Sequence, residues 1–221
     1  MTFCSDVDLL HWEPRLFVDA SAAAQLLLNG NGSISGTTFT LSVGSFASNK
    51  IEADQVLVLT GGASGSYPIV SVDSDTTLTF SVLYDGLYPD DGSSPVAIPI
   101  ASSGSLGFFI RTFWPQRRIA SDLLRHAAGF GPTVDPALAN QTILNPQVLR
   151  RACALGTLQM IYSALAATIP SANVTPYSAR ADIYATLFRQ AMRSAQVEVD
   201  LNGDGTADEV RPLSLLRFVR V

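Results

Sequence analysis

Residues 145–169, NPQVLRRACALGTLQMIYSALAATI, restrict this chain more than any other stretch, because nothing between Ala152 and Ile169 carries a charge. A helix over the segment would be about 35 Å long at ~1.5 Å per residue, with no face suited to water. Asn145 is placed to cap it, Pro146 fits a first turn where a missing N–H costs nothing, and Pro170 ends it. An uncharged run of that length is also a candidate membrane span. Thr157, Gln159 and Ser163 interrupt it, however, and neither an aromatic belt nor a second apolar span accompanies it. A buried core helix is the expectation, with no membrane contact.

The rest of the chain must supply the cover. At 221 residues and 47% hydrophobic content there is enough apolar surface for a real core, which excludes general disorder. Charge is uneven: residues 21–110 set Lys50 against seven acids, whereas residues 111–221 hold twelve arginines against eight acids. Two parts of different character are implied. Cys4 and Cys153 are the only cysteines, so a disulfide framework is not expected and a reducing compartment is. MTFCSDVDLL lacks a basic region before an apolar run, so no secretion signal is expected.

In chain order, Ser5 and Asp6 are candidate caps for a first short helix through LLHW, and LFVDASAAAQLLL resumes as a second after Pro14. Asn29–Gly32, NGNG, closes this part as a turn. The period then changes to that of strands: residues 37–43, 55–60, 67–72, 77–83 and 96–101 are rich in β-branched and aromatic residues, separated by GGASG, DSD, YDG and DDG. A small β-barrel or sandwich inserted between helical parts is predicted. Residues 116–128 follow as an amphipathic helix, with Ile119, Leu123, Leu124 and Ala127 inward and Arg117, Arg118, Asp122 and Arg125 outward. A polar connection over 131–144 leads to the central helix. Beyond Pro170, Thr175 and Pro176 start a helix whose apolar stripe is Tyr177, Tyr184, Leu187, Phe188, Ala191 and Ala195. QVEVDLNGDGTADEVRP reads as a hairpin.

The fold class expected is therefore α+β: an α-helical bundle carrying an inserted small β-barrel or sandwich, with a C-terminal hairpin and an extended tail. Its parts are 1–30, the N-terminal helical part of the bundle; 31–107, the β-rich insertion; 108–196, the bundle core; and 197–221, the hairpin and docking tail. That tail carries Leu213, Leu215, Leu216, Phe218, Val219 and Val221 among Arg211, Arg217 and Arg220. It has too much apolar surface for a free polar end, and these residues are the candidate partner-binding set.

Signals for chemistry are sparse. Asp200, Asn202, Asp204 and Gly205 match the first half of a calcium-binding EF-hand loop, with Asp208 also nearby, but Arg211 stands where a bidentate Glu is needed and Pro212 blocks the following helix. A tight hairpin turn demands the same residues, so a metal site is not expected. His11 and His126 lie in no nucleophile motif, and Cys153 in an apolar helix reads as a packed thiol. GGASG at 61–65 has no Lys-Ser/Thr pair and is not a phosphate loop. No catalytic residue and no cofactor is assigned.

Three segments in order, QRRIASDLLRHAAGFG, the pair LRRACALGTLQMIYSALA and PYSARADIYATLFRQAMRSA, and the closing VDLNGDGTADEVRPLSLLRFVRV, resemble the head-to-tail connector (adaptor) proteins of tailed bacteriophages. The likeness covers residues 116–221. It implies a structural, non-enzymatic virion protein at the neck, assembled in the host cytoplasm. The partners it implies are its own copies in a ring of about twelve, the portal protein, and a stopper, tail-tube or terminator protein, with DNA sliding through an axial channel. The acidic balance suits a channel that does not grip DNA, since tight binding needs clustered Lys and Arg. The competing reading is a binding or adhesion module whose β unit is clipped by calcium.

Overall fold

The structure, a computed structural model, describes residues 2–84, 96–130, 142–168 and 174–213. The chain divides into two compact units: Ser5–Phe113, and the first four residues together with everything from Trp114 onward.

In the first unit, helix α1 (Asp6–Trp12) starts with a reciprocal cap. Ser5 Oγ accepts from the Asp8 N–H at 3.2 Å, and the Asp8 carboxylate accepts from the Ser5 N–H at 2.8 Å. A single further turn, α2 (Leu16–Asp19), follows. Strands β1 (Gln25–Ser35), β2 (Thr38–Leu41), β3 (Val56–Thr60), β4 (Gly65–Val72), β5 (Thr77–Phe80) and β8 (Ser103–Thr112) then close an antiparallel barrel in the order β1-β2-β5-β4-β3-β8. Closure leaves no strand with a free edge. Alternation fills the interior: Ile34, Phe39, Leu57, Leu59, Ile69, Leu78, Phe80, Phe108 and Ile110 form one buried cluster, in which Phe39 and Phe108 meet edge to face at 4.9 Å. Strands β6 (Val82–Tyr84) and β7 (Val96–Ile98) make a separate two-stranded ribbon.

These contacts overturn the expected fold class. A closed six-stranded barrel with its own helices organises residues 5–113, and the chain is not a helical bundle with a small barrel inserted. α1 and α2 belong to the barrel's unit: Phe17 is fully buried with its ring 5.2 Å from Phe113, its carbonyl accepts from Arg111 at 3.2 Å, and the Val7 N–H donates to Asp54 O. QLLL, expected as the end of a helix, is strand, and NGNG is not a turn but the middle of β1. Residues 108–112, FFIRT, expected at the start of the bundle core, are the end of β8, whereas of the residues expected as a barrel strand at 96–101, Val96–Ile98 form a strand of the ribbon instead.

In the second unit, α3 (Trp114–Ala127) is followed by β9 (Thr142–Ile143), a tight turn of 3-10 helix at Pro146–Leu149, α4 (Arg150–Thr168) and α5 (Val174–Ser194). The strands β10 (Gln196–Asp200) and β11 (Glu209–Pro212) pair as a hairpin, and β9 extends it to three strands by pairing Ile143 with Val199. α4 is buried on every side from Ala152 to Leu158, and past Ser163 its solvent-facing positions are Ser, Ala and Thr. Antiparallel packing follows from the contacts, since Gly156 meets Phe188 early in α4 and Tyr162 stacks on Tyr184 at 5.6 Å later in it. Asn145 does not cap α4. Its side chain instead accepts from the Glu198 N–H at 2.8 Å and donates to Gln196 O, so it holds β10 against the turn. No helix among the described residues is long and apolar enough to cross a membrane.

Candidate functional site

The acidic turn between β10 and β11 is built from its own backbone. Asp200 is buried at 2% exposure, and its carboxylate accepts from the N–H groups of Asn202 (3.1 Å), Gly203 (2.6 Å) and Gly205 (2.8 Å). Asp208 accepts from the Leu201 N–H at 2.7 Å, and Asp204 accepts from both the hydroxyl and the N–H of Thr206. Gly203 and Gly205 sit at φ of 81° and 83°, where a Cβ would be strained. Both Asp200 oxygens thus face N–H donors inside the loop, the arrangement of a self-closed turn. The Thr206 bonds hold the Asp204 carboxyl below its ordinary range. What that exposed group contributes is present near neutrality and is lost as pH falls below the ordinary carboxylate range. Millimolar calcium is expected to leave the melting temperature unchanged. A site of micromolar affinity would add about 4 kcal/mol at a thousandfold excess over its Kd, a shift easily seen by calorimetry.

Of the tail residues, two fall within the described part. Arg211 is engaged inside its own unit: it pairs with Glu209 at 2.9 Å, donates to Ala128 O at 2.9 Å, and lies over the Phe130 ring. Gly129, at φ 89°, leaves the space that the guanidinium occupies. Leu213 is buried, and its N–H donates to Ala195 O. Leu215, Leu216, Arg217, Phe218, Val219, Arg220 and Val221 lie outside the described residues.

Leu124 is buried and Arg118, Asp122 and Arg125 are exposed as expected, but the polarity of α3 differs from the sequence expectation at Arg117, Ile119, Leu123 and Ala127. Its buried side is Arg117, Ala120, Ser121 and Leu124, whereas Ile119 and Leu123 are 53% and 49% exposed. Ala127 continues the outer row one turn on. Arg117 turns inward because it has a partner there, donating to Cys4 O at 2.9 Å, and small Ala120 and Ser121 let the helix approach α4. An apolar row one helical turn apart is thereby left in water.

No protein-family model, curated protein or solved structure matches the chain.

Other features are ordinary. His11 and His126 are exposed, and among the described residues no group of three or more His, Cys, Asp and Glu could hold a metal ion. GGASG forms the β3–β4 turn, closed by Ser64 Oγ on both the N–H and the carbonyl of Gly61. A cleft of about 270 Å³ between the start of α4 and the end of α5 is lined by Val148, Arg151, Ser194 and Gln196, with Arg151 its charged residue. Sequence reasoning missed the contact between Cys4 and Cys153, whose sulfurs lie 2.6 Å apart. No local signal joins two residues separated by 149 positions.

Proposed function

We propose that this chain is a structural assembly protein of a tailed-phage neck, a head-to-tail connector whose copies associate into a ring on the portal. The observation that carries the reading is the outward row Ile119 and Leu123 on α3. A helix that buries an arginine and exposes two large aliphatic residues one turn apart presents a surface for another chain. Ile183 on α5 is likewise 56% exposed. The order of α3, the α4–α5 pair and the acidic hairpin supports the same reading through the family resemblance. The barrel unit then serves as a module for a further virion protein, and DNA passes without sequence-specific contact. The role requires neither catalysis nor a cofactor.

Native mass spectrometry of the chain, alone and with the portal protein, tests this. The expected result is a closed oligomer that forms on the portal. Replacing Ile119 and Leu123 together by Asp should abolish it and leave monomer circular dichroism unchanged with a small shift in melting, because about half of each residue is already in water. Truncation after Leu213 is expected to keep the monomer's stability, since Leu213 and its bond to Ala195 remain, and to lose ring joining. A double Asp variant that assembles like the parent, or a chain that stays monomeric with the portal, would sink the proposal.

A further inference from the structure

Cys4 and Cys153 come from distant parts of the sequence to the same place in the second unit, 5% and 0% exposed, with Sγ atoms 2.6 Å apart. The surroundings are built. The Phe3 N–H donates to Ser121 Oγ at 3.0 Å, Arg117 donates to Cys4 O, and Ser121 Oγ lies 3.3 Å from Cys153 Sγ. Thr157 spends its hydroxyl proton on Cys153 O at 2.8 Å and turns its oxygen toward Cys4 Sγ at 3.9 Å. Two neutral thiols have little reason to stand so close, well inside the ~3.5–4.0 Å at which even carbon atoms reach their optimum. The hydrogen bond from Cys4 holds the Cys153 thiol below its ordinary range, helped by Ser121, while the same bond and burial push Cys4 up. Of the two sulfurs, Cys153 is the one whose thiolate is favoured.

We propose that Cys4 and Cys153 form an intramolecular disulfide when the protein meets an oxidant, fastening the segment before the barrel unit to α4. The oxidant is a small-molecule disulfide such as oxidised glutathione. The Cys153 thiolate attacks one of its sulfurs and displaces a glutathione thiolate, giving a mixed disulfide. Cys4, once deprotonated, attacks the Cys153 sulfur and displaces the second. Two protein thiols are oxidised, one small disulfide is reduced, and two glutathione thiols leave with the two protons. The reagent enters by local opening of residues 2–4, which the Phe3 and Cys4 backbone bonds hold to α3 and the Cys4 Sγ contacts with Cys153 and Thr157 hold to α4. The inference rests on this geometry and stands apart from the connector proposal.

The test uses the full chain, purified with reductant, then held in oxidised glutathione, denatured and alkylated with iodoacetamide before intact mass analysis. Alkylation is expected to fall from both cysteines to neither, with the mass lower by two hydrogens and a crosslinked peptide joining the Cys4 and Cys153 fragments. The melting temperature should rise by several degrees on oxidation and fall back with dithiothreitol, whereas Cys4→Ser should show no oxidation-dependent shift. Full alkylation of both thiols after oxidation, glutathione adducts without a crosslink, or links only between chains would each overturn the proposal. The mass measurement on the unaltered protein decides the matter even if the serine variant folds poorly.

Discussion

Gly32→Val is expected to destabilise the barrel strongly. A Cβ built on Gly32 would overlap Phe39 Cζ and lie 2.6 Å from the Thr40 carbonyl oxygen. The ring could swing aside, at the expense of its edge contacts with Phe108 and Phe80, but the carbonyl is backbone in the strand paired with β1. Relief therefore requires β1 and β2 to separate, and in a closed barrel one opened ladder strains the others. Overpacking commonly costs 1–3 kcal/mol where side chains alone must move, so about 3 kcal/mol or more is expected here. For a unit of roughly 100 residues that lowers the melting temperature by about 10 °C or more. Gly104→Val is the control, because nothing lies within 4 Å of a Cβ at that strand position. It should stay within ~0.5 kcal/mol of the parent. Equal melting of the two variants would show that Phe39 does not rest on Gly32.

The same glycines explain why the barrel's first strand was hidden. Glycine under an aromatic ring and glycine in a turn are the same letter, and NGNG offers four turn residues in a row. What distinguishes them is the partner: Gly30 lies opposite Phe108 and beneath its ring, and Gly32 beneath Phe39. Phe108 is 78 residues from Gly30, beyond any local window. β8 did carry a readable signal, since Phe108 and Ile110 point inward while Phe109 and Arg111 stack on the outer surface at 4.0 Å. The strands flanked by clear turns, β3, β4 and β5, were legible because polar punctuation and β-branched runs agree there.

The helical half shows the complementary limit. The uncharged run fixed α4 as the buried helix, and the tyrosine-bearing α5 followed from its stripe. α3 carries two rows, Ile119, Leu123 and Ala127 on one side and Arg117, Ala120, Ser121 and Leu124 on the other. Hydrophobicity favours burying the first row. The fold buries the second, because small residues permit close approach to α4 and Arg117 finds Cys4 O. A pattern argument scores each side chain against water and cannot see a partner from residue 4.

Asp6→Ala is expected to be the most damaging change outside the barrel interior. Asp6 is fully buried in the first turn of α1, and its carboxylate accepts from Thr112 Oγ1 at 2.6 Å and from the Phe113 N–H at 3.1 Å, both at the end of β8. Alanine would leave a buried hydroxyl and a buried N–H without this acceptor. At about 1–3 kcal/mol for each stranded donor, the loss is about 2–6 kcal/mol. Asp8→Ala, two residues on, removes the capping-box carboxylate and should cost about 1 kcal/mol. Asp6→Asn should fall between, because an amide oxygen can accept from one donor while its NH2 faces the other. Urea unfolding of the three variants gives the order, and hydrogen exchange at Phe113 shows whether the end of β8 opens first. If Asp6→Ala were no worse than Asp8→Ala, the carboxylate would not be what ties α1 to β8, and the buried contacts of Leu9, Phe17 and Phe113 would have to hold that corner alone.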